Sequence, residues 1–180
     1  HVESLDSTRL KTYASFTAGS AGRTGVDPAD LCDIICINSY GDASKVAKRC
    51  HSVWPDKPIF ITEIGKSMLG EDPSQAGLAE SLKRAIRNCE ELDYVIGCAL
   101  WSYNDYRSNF AGTPIGQCRT WGVYSTWRQP KKGALEIQEL FTSSGQLSSL
   151  PSMAQMPDSL SGTVPTIWAV VPLDNSCMVG

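Results

Sequence analysis

The stretch Lys57-Pro-Ile-Phe-Ile-Thr-Glu-Ile-Gly65 decides the fold of this 180-residue chain. Its apolar run is entered through Pro58, which is tolerated at the first position of a strand. The run predicts a strand over 58–62 that is buried on both faces of a sheet. Glu63 follows at once, where burying an unpaired charge is costly. Position alone does not decide whether Glu63 is a functional carboxylate or an ordinary helix-capping or salt-bridged acid.

Two similar apolar runs lie on either side of that stretch. They are Asp33-Ile-Ile-Cys-Ile-Asn38 and Val95-Ile-Gly-Cys-Ala-Leu-Trp101. Each is short, continuous and bounded by polar residues, which is typical of a buried strand. A shorter strand is predicted before them, from Leu10 to Ser15.

Three helices are predicted around these strands. One covers 42–53, one follows Asp72-Pro73, where Gln75 completes a capping box, and one opens at Pro130. Their inward positions recur at helical spacing. These positions are Val46, Ala47 and Cys50 in the first helix, Ala79, Leu82, Ile86 and Cys89 in the second, and Ala134, Ile137 and Phe141 in the third.

Buried strands that alternate with amphipathic helices predict right-handed βαβ units and a parallel sheet, which is an α/β fold. Two architectures compete. A doubly wound sheet usually carries a Gly-rich phosphate loop after its first strand, and residues 18–22 contain no GxGxxG motif. A (β/α)8 TIM barrel uses roughly 30 residues per unit, so residues 1–141 match about four units. The expectation is therefore half of a TIM barrel, as the C-terminal part of a longer protein.

Residues 142–180 differ in composition from the rest of the chain. They hold two acids, no Lys or Arg, and fifteen Ser, Pro or Gly. This composition is typical of a linker or flexible tail, with the start of a following β-domain as the alternative. The predicted organisation is a partial catalytic barrel over 1–141 and a tail over 142–180.

Composition also excludes several classes of function. Sixteen Lys and Arg against nineteen Asp and Glu give a net charge of −3, which offers no basic surface for nucleic acid. The apolar stretches are far shorter than the ~18 residues of a membrane span. The seven cysteines form no CxxC pair, and His51 is the only histidine near Cys32 and Cys36. Reduced core thiols are therefore expected, with no metal and no cofactor.

Polar and aromatic residues follow the predicted strands at their carboxyl ends, where the catalytic groups of parallel barrels lie. These ends give Ser15, Asn38 with Tyr40, Glu63, and Trp101 with Asn104 and Asp105. This combination of polar and aromatic side chains suits a sugar, because an indole stacks on the apolar faces of the sugar ring while the sugar hydroxyl groups need hydrogen-bond partners. A carbohydrate is therefore the expected substrate.

Five stretches resemble, in order, the catalytic barrel of clan-A glycoside hydrolases, especially family 2 with its β-galactosidase, β-glucuronidase and β-mannosidase relatives. They are 5–15 (entry to the fifth strand), 33–40 (a strand ending in Asn-x-Tyr), 57–65 (the nucleophile strand), 97–107 (the eighth strand) and 119–131 (the close of the barrel). The resemblance covers about 1–141 and implies strands five to eight of the barrel.

The resemblance implies a role for each matching residue. Glu63 is the implied nucleophile of a retaining β-glycosidase, which forms a covalent glycosyl-enzyme. Tyr40 is implied to donate a hydrogen bond to that carboxylate and Asn38 to support it. Trp101 is implied to floor the sugar subsite, with a cis peptide at Trp101–Ser102. Further candidate substrate contacts are Asn104, Asp105 and Arg119.

Retaining hydrolysis needs a second carboxyl group as acid/base. The family takes it from an Asn-Glu pair at the end of the fourth strand, which on this expectation precedes the sequence. Glu3 lacks the preceding asparagine, and Asp42 is expected to cap the helix that follows it. Asp105 is the best local candidate, without a convincing match. The chain alone is therefore expected to be inactive, with its acid/base supplied by an N-terminal half.

A β-galactosidase-like specificity is favoured. Glucuronidases of the family carry Asn-x-Lys-Gly where this chain has Arg119-Thr-Trp-Gly122, and often Gly-Trp-Tyr where it has Gly41-Asp-Ala-Ser44. The alternatives are a β-mannosidase, a β-glucuronidase or an endo-β-glycanase and, from another class, a non-catalytic carbohydrate-binding barrel fragment. A homo-oligomeric parent is left open, and no motif in the sequence bears on assembly.

Overall fold

The computed structural model describes residues 2–20, 27–66, 76–109, 111, 113 and 118–143. The strands are β1 (Ala14–Ser15), β2 (Ile35–Ser39), β3 (Ile59–Ile64), β4 (Val95–Leu100), β5 (Tyr106–Arg107) and β6 (Cys118–Arg119). The helices are α1 (Val2–Leu5), α2 (Ala43–Val53), α3 (Ala76–Glu90) and α4 (Lys132–Ser143), and two 3-10 turns cover Ala18–Ser20 and Pro28–Leu31.

Four of the strands form one parallel sheet in the order β1-β2-β3-β4. Helix α2 connects β2 to β3, and α3 connects β3 to β4, so strands and helices alternate along the chain. The predicted α/β fold with a parallel sheet is therefore confirmed. That the sheet is half of an eight-stranded barrel stays a prediction.

Isoleucine side chains bury one face of the sheet against the helices. Ile35, Ile37, Ile59 and Ile61 are each 0 % exposed and share a single core cluster with α2, α3 and α4. Burial on both faces is confirmed for β2, where Cys36 is also buried. In β3 the intervening residue, Phe60, is partly exposed, because the helices pack on the isoleucine face.

The helices present the predicted apolar positions to this core. Ala47, Cys50, Leu82, Ile86, Ala134 and Ile137 are all buried. Asp42 caps α2 as expected, because its side chain accepts a hydrogen bond from the Lys45 backbone N–H at 3.0 Å.

The other predicted helix boundaries have different outcomes. Helix α4 begins at Lys132, two residues after the predicted start, since Pro130 instead forms an antiparallel bridge with Tyr124. The capping residues predicted at 72–75, the Phe141 side chain and residues 144–180 lie outside the described residues. The predicted tail therefore stays a prediction.

The described part of the chain contains six cysteines. All six are free, and Cys36, Cys50, Cys89 and Cys98 are buried. Burial raises the pKa of the Cys50 and Cys89 thiols to about 11.

None of the described helices combines the length and apolar character needed to cross a membrane. No group of three or more His, Cys, Asp or Glu side chains within the described ranges is arranged to hold a metal ion.

Candidate active site

Glu63 lies near the carboxyl end of β3, where the regular pairing of the sheet breaks. The β2–β3 register shifts after Ile37, so Asn38 pairs with Glu63. The β3–β4 register shifts between Ile61 and Ile64. Irregularities of this kind re-aim side chains and are frequent next to active sites. They place the Glu63 carboxylate beside Asn38.

Two polar residues of the neighbouring strand and its exit contact this carboxylate. The Tyr40 hydroxyl donates a hydrogen bond to Glu63 Oε2. Asn38 Oδ1 accepts a hydrogen bond from Thr62 Oγ1 at 2.6 Å, which orients the amide and leaves its NH2 group to donate to Glu63. The structure thus brings together three of the predicted site residues, Glu63, Tyr40 and Asn38.

The environment acts on the pKa of Glu63 in two opposite ways. Partial burial raises the pKa of the carboxyl above its usual range, because desolvation disfavours the charged form. The hydrogen bond from Asn38 lowers the pKa, and burial is the larger effect. A partly desolvated carboxylate that still has fixed donors is less solvated than a surface acid and therefore a better nucleophile.

Trp101 lies at the same edge of the sheet, directly after β4. Its backbone N–H donates to the Ile64 carbonyl at 2.9 Å, which ties it to the residue that follows Glu63. Its indole Nε1–H donates to the Tyr106 hydroxyl at 2.9 Å, and the residue is 39 % exposed. The peptide bond between Trp101 and Ser102 is cis, as the resemblance implies. A partly exposed indole, oriented by Tyr106, therefore lies at the same edge of the sheet as Glu63.

Trp121 is a further aromatic neighbour of the site, and the hydrophobic pattern of the sequence does not predict it. Its ring meets the Tyr40 ring edge-on, with centroids 5.0 Å apart and planes 80° apart. Its indole Nε1 is buried and has no hydrogen-bond partner among the described residues. The signal for it is the stretch Arg119-Thr-Trp-Gly122, which stands where the glucuronidases that the sequence resembles carry Asn-x-Lys-Gly.

The remaining predicted contacts follow later in the chain: Asn104 and Asp105 come after Trp101, and Arg119 lies in β6. The Asn104 side chain donates to the Asp105 carbonyl at 2.7 Å. Asp105 is buried, and its carboxylate accepts hydrogen bonds from Lys131 Nζ at 2.6 Å and from the Gly122 N–H at 3.0 Å. The Arg119 guanidinium lies 5.2 Å from the centre of the Trp121 ring. The Asp105 carboxylate therefore belongs to a buried ion pair, and this contact argues against a role for it as the general acid.

Gly65 lies where β3 leaves the sheet, and it permits a close approach of backbones. A Cβ atom at this position would lie 2.2 Å from the Trp101 carbonyl oxygen, a contact that requires backbone movement. Replacing Gly65 with alanine is therefore expected to lower the free energy of unfolding by about 1–3 kcal/mol. Thermal or denaturant unfolding measures the change.

Gly41→Ala is the matched control, because no atom lies within 4 Å of a Cβ added there. Its effect is expected to stay within about 0.5 kcal/mol. Equal stabilities of the two variants would contradict the close approach at Gly65.

A cavity of about 400 Å³ opens beside the site. Tyr40, Gly65 and Lys66 line it, together with Arg84 and Asn88 of α3. Glu63 does not line it. The cavity is therefore a neighbour of the carboxylate rather than the place where a sugar would meet it.

Several solved structures share this fold. A β-D-glucuronidase from Dictyoglomus thermophilum matches with 25% sequence identity and a TM-score of 0.61, over 83% of this chain and 27% of that protein. A GH2 β-galacturonidase from Eisenbergiella tayi, bound to galacturonate, matches with 18% identity and a TM-score of 0.65, over 79% and 28%. A β-glucuronidase from an uncultured Clostridium species matches with 23% identity and a TM-score of 0.59, over 77% and 27%.

These matches cover only part of each of the solved proteins. The chain spans little more than a quarter of the length of each of these proteins. No protein-family model matches the sequence, and no curated protein sequence matches it either. The shared feature is therefore the fold of one part of these enzymes, and the activity of the whole protein is a matter for proposal.

Proposed function

We propose that the protein is a glycoside hydrolase that cleaves β-linked sugars with retention of configuration, with Glu63 as its nucleophile. The observation that carries this proposal is the carboxylate at the end of β3, which accepts a hydrogen bond from Tyr40 and lies beside Asn38. The solved structures that share the fold are β-glycosidases by their own descriptions, and this supports the same kind of chemistry here.

The reaction proceeds by two displacements. A Glu63 carboxylate oxygen attacks the anomeric carbon, the bond from that carbon to the leaving oxygen breaks, and a general acid protonates the leaving oxygen. In the second step the group that acted as the acid now acts as a base and removes a proton from water. The water attacks the same anomeric carbon and releases Glu63 as a carboxylate. The second carboxyl group must lie about 5–5.5 Å from the first. We assign it to a residue outside the described part of the chain, since Asp105 is held by Lys131.

Each neighbour of Glu63 has a distinct role in this proposal. Tyr40 stabilises the ionised carboxylate and fixes which oxygen attacks, because its hydroxyl donates to Oε2. Asn38 holds the carboxylate from the β2 side. Trp101 offers an exposed indole face on which the apolar side of a sugar ring stacks. The four parallel strands supply half of the (β/α)8 barrel that carries these groups.

The leading candidate substrate is a β-galactoside. Where glucuronidases carry Asn-x-Lys-Gly, this chain has Arg119-Thr-Trp-Gly122. Trp121 therefore stands at the position of the lysine that would pair with a sugar carboxylate. A β-uronide is the second candidate, because the structures that share the fold are described as glucuronidases and galacturonidases. Hydrolysis of aryl β-galactoside, β-glucuronide, β-galacturonide and β-mannoside by the full-length protein separates these candidates.

Covalent trapping tests the proposal directly. The full-length protein is incubated with 2-deoxy-2-fluoro-β-glycosides bearing a dinitrophenolate leaving group, which form the glycosyl-enzyme but hydrolyse it slowly. Peptide mass spectrometry is expected to find one fluoroglycosyl group on Glu63. A label on another carboxylate overturns the nucleophile assignment. Hydrolysis of aryl glycosides without any trapped ester overturns the retaining mechanism.

Replacing Tyr40 with phenylalanine removes the hydroxyl that donates to Glu63. A hydrogen bond to a charged group is worth about 1.5–3 kcal/mol, so kcat/KM is expected to fall by roughly 10- to 150-fold. The pKa of Glu63 rises when the donor is lost, and hydrolysis needs the ionised form. The acidic limb of the kcat/KM profile is therefore expected to move to higher pH.

Tyr103→Phe is the control, because this tyrosine stacks on Tyr124 rather than contacting Glu63. An acidic limb that stays in place in Tyr40→Phe would contradict the role assigned to its hydroxyl.

A further inference from the structure

The Tyr40 ring has aromatic neighbours on two sides. Phe16 stacks on it with centroids 6.2 Å apart, and Trp121 meets it edge-on at 5.0 Å. Phe16 is 68 % exposed, whereas Trp121 is partly buried and its indole nitrogen is fully buried. An exposed ring constrains its neighbour little, so the buried indole is the better support for Tyr40.

Trp121 is itself held from several directions. The Arg119 guanidinium lies over its ring at 5.2 Å, which is within the range of a cation–π contact. Its carbonyl accepts a hydrogen bond from the Ser102 N–H at 3.2 Å. A Cβ atom placed on Gly65 would lie 3.4 Å from Trp121 Cε3, so the glycine lets the indole pack against the end of β3.

We propose that Trp121 is a positioning residue, which holds the Tyr40 ring where its hydroxyl donates to Glu63. The Trp121–Tyr40–Glu63 link is a statement about geometry, and it rests on the proposed function only for its effect on turnover. A donor fixed on an ionised carboxylate favours the charged form. Loosening Tyr40 therefore raises the pKa of Glu63.

The other polar groups on the segments around the site make different contacts. Asn38 faces it from β2 and is oriented by Thr62. Lys66 follows it in the chain and lines the neighbouring cavity. On the loop after β4, Asp105 is paired with Lys131. Tyr40 is the group that joins Glu63 to the Trp121 ring.

A double-mutant cycle on the full-length protein tests this link. Trp121→Leu is expected to lower kcat/KM by about 2- to 10-fold and to move the acidic limb upward by about half a pH unit or more. In the Tyr40→Phe background the same substitution is expected to change neither quantity by more than about twofold, because the route through the hydroxyl is already gone. Trp121→Phe keeps an aromatic edge and is expected to restore most of the loss.

Infrared difference spectra make the test independent of hydrolysis. Subtracting the spectrum of Glu63→Gln isolates the carboxyl titration of Glu63, and its midpoint is expected to rise in Trp121→Leu but not in Trp127→Leu. Trp127 is a suitable control because it is 85 % exposed. A failed glycosidase assignment therefore leaves the positioning test intact.

The outcomes divide cleanly. A raised midpoint that depends on the Tyr40 hydroxyl supports the proposal. An unmoved midpoint, or the same shift in both Tyr40 backgrounds, overturns it. Trp121→Met, which keeps much of the volume without a ring, takes the place of the leucine variant if that variant does not fold.

Discussion

Replacing Glu63 with glutamine in the full-length protein is expected to lower kcat for aryl β-glycosides by roughly four to six orders of magnitude. Loss of a covalent nucleophile has an effect of about this size in other enzymes. The amide keeps the shape of the side chain and still accepts a hydrogen bond from Tyr40, so the local structure is retained. The amide does not form the glycosyl ester, so the first displacement stops.

Glu91→Gln is the matched control. Glu91 is an exposed acid in the turn after α3, and its replacement makes the same charge change away from the site. Its kcat and KM are expected to match those of the unmodified protein. If Glu63→Gln kept more than about one tenth of the activity, Glu63 would not be the nucleophile.

The sequence predicts the position of the Glu63 carboxylate, because each clue to that position is local. The apolar run before Glu63 predicts a strand, and the carboxyl end of a parallel strand predicts the edge where the side chain lies. The same logic placed Asn38 and Tyr40 on the neighbouring strand and its exit. The structure has all three in contact.

The sequence did less well where the answer depends on contacts between distant segments. The position of Asp105 after β4 predicts a place in the site, but its carboxylate contacts Lys131, which lies 26 residues later in the chain. Pro130 predicts the start of α4, because proline often opens a helix, but α4 begins at Lys132 since Pro130 forms a bridge with Tyr124. Trp121 gives no periodic signal at all, because the Tyr40 ring that it contacts belongs to a distant segment of the chain.

The Asp105–Lys131 pair also gives the largest expected effect on stability. The two side chains are 8% and 10% exposed, and their 2.6 Å contact joins the loop after β4 to the start of α4. Asp105→Asn keeps the shape and still accepts a hydrogen bond from the Gly122 N–H, but it leaves the Lys131 ammonium group buried without a counter-ion. Removing one partner of a buried pair costs about 3–5 kcal/mol.

Thermal unfolding of the full-length protein measures this cost, and Asp93→Asn in the exposed turn before β4 is the control. The melting temperature of Asp105→Asn is expected to fall by roughly 10 °C, and that of the control by less than about 2 °C. A double variant, Asp105→Leu with Lys131→Met, is expected to recover much of the loss, because an apolar pair has no desolvation cost. If the double variant is as unstable as Asp105→Asn, the charges themselves hold the two segments together; if Asp105→Asn melts with the unmodified protein, the pair does not stabilise the fold.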